Sequence, residues 1–453
     1  MAPCSVEQNK NLHMKNLKII IGIICFLNIL SVYAQNPISV PGVYNANPEA
    51  RVFSDGRIYI YGTRDESDKY WSSYAYHVLS SSDLRHWEID ENSFNSRGEN
   101  DGIKDSDDLL FAPDCIERNG RYYLYYCMPD RSHTEGVAVA DNPVGPFRNG
   151  KHIKGANQID PAVFIDDDGK GYYYWGQASP KVARLSDDLL SIDTTTIAEP
   201  LDQKNKKVFH EGASVRKIGK QYYMIFADES RRGRPTCLGY AVSNSPMGPF
   251  IYKGVIIDNY GCDPSSWNNH GSIQCFNDQW YVFYHRSTNN SQKFRKTCVE
   301  PITIAEDGTI AEVEMTSQGA GTPFNGLQRM DASRACLMNG NVRIASLPTT
   351  DIPNEGLTQI KNNDWAAFKY IEFTSAAKSF SVKTVGLGEG IIDIILDKPD
   401  GKVIGTCKIS SDKPNSYAIH NCVIKPVSGI HALYLRFKTT SNMPDVDWFI
   451  FNK

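Results

Sequence analysis

At 453 residues the chain is long enough for two or three domains. It is 41% apolar and 22% charged, an ordinary globular composition, and a formal net charge of −4 excludes an electrostatic nucleic-acid footprint. Aromatic residues reach 11%, with 24 tyrosines, which favours β structure, where rings fit a pleated, half-buried surface.

The chain opens on a targeting pattern. Met14-Lys15-Asn16-Leu17-Lys18 is a short basic region, Ile19 to Val32 is an apolar run, and Val32-Tyr33-Ala34 ends on a small residue. This predicts a secretory signal over residues 1–34, cleaved after Ala34, with Met14 as an alternative start. The apolar run is too short to span a bilayer comfortably, so no stable membrane span is expected in the mature chain. The expected location is secreted or periplasmic. Cys4 and Cys25 precede the cleavage point. The cysteines beyond it form no CxxC pair with metal-like spacing. Those inside strand-like runs, such as Cys127, read as small buried apolar residues.

From residue 35 a strand phrase recurs, a short turn followed by a Tyr-rich strand. The copies are Asp55-Gly56-Arg57-Ile58-Tyr59-Ile60-Tyr61, Asn119-Gly120-Arg121-Tyr122-Tyr123-Leu124-Tyr125, Asp168-Gly169-Lys170-Gly171-Tyr172-Tyr173-Tyr174-Trp175, Ile218-Gly219-Lys220-Gln221-Tyr222-Tyr223-Met224-Ile225 and Asn277-Asp278-Gln279-Trp280-Tyr281-Val282-Phe283-Tyr284. Each turn joins two strands into a hairpin. A second phrase follows some copies: Ser81-Ser82-Asp83-Leu84, Asp141 to Phe147, Leu185 to Leu189 and Asn244 to Phe250 read as outer turns. Five units spaced by roughly 50–65 residues, with almost no helical periodicity, predict an all-β, five-bladed propeller over 35–325. The spacing is too long for a β-helix and too regular for a typical sandwich. Beyond about residue 330 the phrase disappears. Short strands such as Tyr370-Ile371-Glu372-Phe373 alternate with polar turns, which predicts a β-sandwich over 330–453.

In a propeller the innermost strands start around one axis, so acids at those starts converge. Asn47-Pro48-Glu49, Asp160-Pro161-Ala162 and His210-Glu211-Gly212 each precede or open such a strand. Taken singly, each is an ordinary turn signal. Their equivalent placement in repeated units points to chemistry that needs a protonated carboxyl facing a carboxylate, as inverting glycoside hydrolysis does at roughly 6.5–9.5 Å.

Phe111-Ala112-Pro113-Asp114, Ile159-Asp160-Pro161-Ala162-Val163-Phe164 and Trp267-Asn268-Asn269-His270-Gly271-Ser272, in this order, resemble glycoside hydrolase family 43 over about residues 37–322. The resemblance implies Glu211 as general acid and Asp160 as the neighbour that raises its pKa. It implies Arg286 as a substrate-facing arginine, and Trp175 is a further candidate substrate contact. His270 would approach an axial cation, often calcium, through water. Gln359 to Lys369 and Asp447-Trp448-Phe449-Ile450-Phe451 resemble carbohydrate-binding module family 6, which implies a jelly-roll sandwich with Asp447 as a structural calcium ligand. This second domain either binds glycan or braces the propeller.

One position departs from the resemblance. The family's general base is an Asp before Pro on the first inner strand, and here Asn47 stands there. An amide cannot accept a proton from water near neutral pH. Three readings stay open. Asp65, at the end of the partner strand, substitutes as base; Asn47 orients the water and the base comes from elsewhere, including the substrate; or the propeller binds glycans without turnover. The expected activity is an exo-acting, inverting glycosidase on plant cell-wall oligosaccharide or polysaccharide side chains, of α-L-arabinofuranosidase or β-D-xylosidase type. An exo-acting galactosidase and a non-hydrolytic glycan-binding protein are the alternatives.

Overall fold

The computed structural model describes residues 35–453 except 99–100, 105, 130–134, 205, 349–351 and 375. The expected signal segment, with Met14, Cys4 and Cys25, lies outside the described residues. Among the described residues, no helix is long and apolar enough to cross a membrane.

Among the described residues, nineteen strands form five antiparallel sheets in chain order. The first holds β1 to β4 (Asn45–Val52, Ile58–Arg64, Ala75–Ser81, Glu88–Asn95). The second holds β5 to β8 (Asp114–Arg118, Arg121–Cys127, Glu135–Ala140, Arg148–His152). The third holds β9 to β12 (Ala162–Ile165, Gly171–Trp175, Lys181–Leu185, Ile192–Ala198). The fourth holds β13 to β16 (Phe209–Ile218, Gln221–Asp228, Cys237–Ser243, Ile251–Asp258), and the fifth β17 to β19 (Ser272–Phe276, Gln279–Thr288, Ser291–Ile302).

The recurring phrase is the turn between the first and second strand of each sheet. In the second sheet Asn119 and Gly120 both take positive φ, 54° and 74°, the pairing that suits a two-residue hairpin. In the fifth, Asn277 and Asp278 do the same at 49° and 62°, because short polar side chains tolerate this region. The second phrase lies between the third and fourth strands, at the outside of four of the sheets.

The sheets close into a ring. The first strand of each packs against the first strand of the next, and β17 returns to β1. Five apolar clusters fill the seams. Tyr61 and Phe94 meet Leu124 and Tyr126 in the first seam. Tyr125 meets Tyr173 and Trp175 in the second. Phe164 meets Phe209 and Phe226, Tyr223 meets Tyr284, and Phe283 meets Ile60 in the remaining three. Closure is completed by the segment before β1: Ile38 N–H donates to Thr297 O at 3.0 Å, and Asn36 pairs its side-chain amide with Val299 at 2.8 and 3.0 Å. This segment runs beside β19, where the three-stranded fifth sheet lacks a fourth strand.

Two arginines tie the inner strands together. Arg51 on β1 grips both oxygens of Asp114 on β5, at 2.9 and 2.6 Å, and the Val163 carbonyl on β9 at 2.9 Å. Arg216 on β13 reaches Glu49 and the Ala50 carbonyl on β1, each at 2.6 Å, and Gln274 on β17 at 3.0 Å.

The C-terminal domain is a sandwich of two six-stranded sheets. Phe324–Asn325 already pairs with its strand Trp365–Phe373, so the sandwich begins at Phe324. Phe368, Phe380, Phe449 and Phe451 lie at the centre of its core. The sandwich braces the fifth sheet. Lys296 and Glu355 form a buried ion pair at 2.5 Å across the seam, and backbone bonds run from Ser317 to Lys369 O and from Met338 to Gly261 O.

Candidate active site

Asn47 and Asp160 share an unusual backbone state. Each has positive φ, 53° and 64°, and each precedes a proline. Short polar side chains tolerate this region, but pre-proline residues favour extended backbone, so the following proline strains the conformation at both places. On β13 the positive φ falls instead on Gly212, at 71°, directly after Glu211, and glycine adopts it without strain. Only glycine is possible there, since a Cβ would lie 2.5 Å from the His270 ring. The pairing registers of β1 and β13 also break at these points, which turns the side chains toward the axis.

The three side chains line one pocket of about 180 Å³. That is well below the roughly 300–1,000 Å³ of common ligand sites, so it suits a single small sugar. Trp71, Phe111, Ile159 and Trp267 form its apolar walls. The floor is polar. Glu211 accepts N–H bonds on both oxygens, from Gln177 at 2.8 Å and from Asn268 at 3.0 Å. His210 stands 3.6 Å from Glu211, anchored on its other nitrogen by Glu229 at 2.5 Å. Asp160 is 5% exposed, and its Oδ2 has no hydrogen-bond partner. Burial, and then the charge of Glu211 beside it, push the Asp160 carboxyl well above the usual carboxylate range. His270 lies 4.0 Å from Asp160, and burial lowers its pKa to about 4, so the ring is neutral.

Asn47 is held by two neighbours. Its amide nitrogen donates to Thr63 Oγ1 at 2.8 Å, and its Oδ1 accepts from Arg295 at 3.1 Å. Arg295 lies against the ring of Trp71, 4.8 Å from its centroid.

Several expected residues lie elsewhere. Asp65 does not line this pocket. Arg295 binds its carboxylate through Nε, Nη2 and the backbone N–H at 2.8, 2.8 and 3.0 Å, so Asp65 orients the arginine rather than facing a water at Asn47. Arg286 also points away. Strand faces alternate, and in the β18–β19 pairing the Ser287↔Arg295 pair shares a face with His285↔Thr297, while Arg286↔Lys296 takes the other. Arg286 is buried against the Tyr284 hydroxyl, Glu300 and the Thr316 carbonyl. Arg295 is the arginine that reaches the pocket, and the alternation of this hairpin was the available signal. Trp175 is 1% exposed and packs in the second seam, 5.6 Å from Tyr173, because the end of β10 faces the neighbouring sheet. Asp447 is paired with the Lys383 ammonium at 2.9 Å and with Asn354 at 3.0 Å, so a side-chain cation already stands where calcium was expected. Gln177 and Trp71 carried no signal of their own, since each lies on a loop outside the repeated phrase.

Among the described residues, Asp160, Glu211 and His270 are the one group whose donors could meet at a metal ion. They do not fit directly bound calcium, which takes about six to eight oxygen ligands. One of the three donors is nitrogen, and both Glu211 oxygens are engaged. They do fit a hydrated ion reached through water, because His270 Nδ1 and Asp160 Oδ2 are buried and unpartnered.

Comparison with known proteins gives the family of each domain. Residues 34–310 match the model of glycosyl hydrolases family 43, and residues 335–453 match carbohydrate binding module family 6. A xylosidase/arabinosidase of Thermoclostridium stercorarium is 30% identical over 465 residues, covering 89% of this chain and 96% of that protein. An arabinoxylan arabinofuranohydrolase of Paenibacillus polymyxa is 29% identical, covering 93% of this chain and 77% of that one. Among solved structures, a β-xylosidase/α-arabinofuranosidase from a compost microbial metagenome, in complex with xylotriose and in a calcium-free form, is 31% identical. Its TM-score is 0.53, with 62% of this chain and 97% of that one covered. The chain therefore belongs to glycosyl hydrolases family 43, enzymes acting on O-glycosyl bonds, and carries a family 6 carbohydrate binding module at its C-terminal end.

Proposed function

We propose that the chain is an exo-acting, inverting glycosidase that removes α-L-arabinofuranose, or as second choice β-D-xylose, from plant cell-wall side chains. The observation that carries this is the pocket of about 180 Å³ with Glu211 on its floor, room for one terminal sugar and an acid at its glycosidic oxygen. The names of the relatives point the same way. The leader over residues 1–34 supports a secreted or periplasmic location.

Glu211 protonates the leaving oxygen, and the bond to the anomeric carbon breaks. The carboxylate that remains meets the N–H groups of Gln177 and Asn268. Asp160 keeps a second carboxyl beside it, so the site holds a proton more readily than an isolated acid would. A water attacks from the opposite face, where Asn47 and Arg295 orient it. Neither takes its proton, so that proton passes to the substrate or to solvent. Slow turnover follows from this. A hydrated calcium ion near His270 would add positive charge on the axis, and none of these steps depends on it.

A panel of aryl glycosides tests the assignment. Arabinofuranoside cleavage that disappears in Glu211→Gln is expected. Cleavage of galactosides alone would overturn the sugar assignment. Binding without product would favour a glycan-binding propeller, the reading that Asn47 and the Asp65–Arg295 pair support.

A further inference from the structure

His285 sits between the two halves of the pocket floor and is fully buried, at 0% exposure. On one side the backbone N–H of Asn47 points at its Nδ1 from 3.2 Å. On the other, Nε2 lies 3.0 Å from Oδ1 of Asn268 and 3.1 Å from the Asn268 carbonyl.

A backbone N–H can only donate, so Nδ1 accepts and carries no proton. The neutral ring then carries its proton on Nε2. Two oxygens of Asn268 stand ready to accept it. With Oδ1 turned to the ring, the NH₂ of Asn268 must face Glu211, 3.0 Å from Oε1. An asparagine amide is otherwise ambiguous by 180°. Here the backbone of Asn47 settles it through the imidazole. Burial keeps the ring neutral by pushing its pKa well below the ordinary value, and the charge of Arg295 acts in the same direction.

We propose that His285 is a positioning residue that transmits one hydrogen-bond direction from the backbone of Asn47, through Asn268, to the carboxylate of Glu211. When Glu211 gives up its proton, the carboxylate meets an N–H already aimed at it. A flipped Asn268 would instead aim a carbonyl oxygen at the new charge. The same contact holds the strained turn at Asn47, so the acid side and the water side of the pocket are aligned through one ring. The kinetic consequence rests on the hydrolytic reading above; the hydrogen-bond direction does not.

Two measurements on the whole protein test this. In ¹⁵N spectra of ring-labelled histidine, with the His285 signals identified by their loss in His285→Asn, a bare Nδ1 and a protonated Nε2 are expected at neutral pH. A protonated Nδ1 or a cationic ring overturns the proposal, whether or not any glycoside is cleaved. The second measurement compares leaving groups. His285→Asn keeps an acceptor for the Asn47 N–H and loses the donor to Asn268; His285→Gln keeps that donor. His285→Asn is expected to lower kcat by about 10²-fold on an alkyl arabinofuranoside, the cost of a misplaced catalytic group. It is expected to lower it far less on a dinitrophenyl arabinofuranoside, whose leaving group needs no proton, with KM little changed in both. His285→Gln is expected to retain most of the alkyl rate. Equal losses on the two leaving groups in folded variants overturn the proposal. A wild type that cleaves neither glycoside defeats the hydrolytic reading, and the spectra still decide the direction of the bonds.

Discussion

Two polar clusters share the propeller axis, and they differ in one respect. Glu49, Arg51, Asp114 and Arg216 lie about 7–13 Å further along the inner strands, counting two to four residues from Asn47 at the strand rise. Every charge there has an opposite partner or a backbone carbonyl in reach, and none of the four leaves a buried side-chain atom unpaired. The cluster of Asp160, Glu211 and His270 is equally buried, yet Asp160 Oδ2 and His270 Nδ1 have no partner. A folded protein rarely tolerates such orphans unless a ligand, a water or a reaction uses them. The paired cluster secures the ring, whereas the unpaired one leaves two buried polar atoms open to a further partner.

The difference can be broken at either end. The largest effect is expected from Glu211→Gln, which removes the acid and should lower kcat by roughly 10²–10⁴-fold while leaving the melting temperature nearly unchanged. Asn47→Asp should act in reverse. Aspartate tolerates the same left-handed backbone, and restoring a carboxylate before Pro48 should raise kcat on arabinofuranosides by about 10²-fold or more. No gain in steady-state assays would mean that Asn47 does not occupy the water's position. In the paired cluster, Arg216→Met takes from Glu49 its 2.6 Å partner and leaves it only Arg51 at 3.2 Å, which should cost about 1.5–3 kcal/mol in denaturant unfolding, with the glycosidase activity of the remaining folded protein retained.

The last test varies pH and concerns Glu135, beside the orphaned cluster. It is buried, accepts the Tyr173 hydroxyl and the Gln158 N–H, and burial raises its pKa to about 8. The folded protein therefore binds a proton that the unfolded chain has released. The stability this proton contributes is fully present below pH 4.5 and is lost as pH rises toward 8, with a slope of at most about 1.4 kcal/mol per pH unit. Glu135→Gln should flatten the fall in melting temperature across that window. An unchanged profile would assign the fall to other groups, such as Glu300, whose pKa burial raises to about 7.

Much of the fold was legible in the chain because its signals are local. Turn pairs such as Asn119-Gly120 select their hairpins from two residues, and Tyr-rich runs mark the strands that follow. Asn47, Asp160 and Glu211 were legible for the same reason, since each opens the inner strand of a repeated unit and the repeat places equivalent positions around one axis. The arginine was not. Arg286 and Arg295 lie on paired strands, and the parity of the β18–β19 register alone sends one to the pocket and the other to the domain seam. Asp65 was placed at the correct end of its strand, but its carboxylate was already bound by an arginine 230 residues away. Trp175 sits at a strand end whose outward face became a seam once the neighbouring sheet packed on it. Local sequence thus determined which strands form and where the axial residues begin. Which side chain faces the axis, and which charge is already paired, depended on partners brought together only by closing the ring, because strand alternation reverses with a single residue and ion pairing is not local.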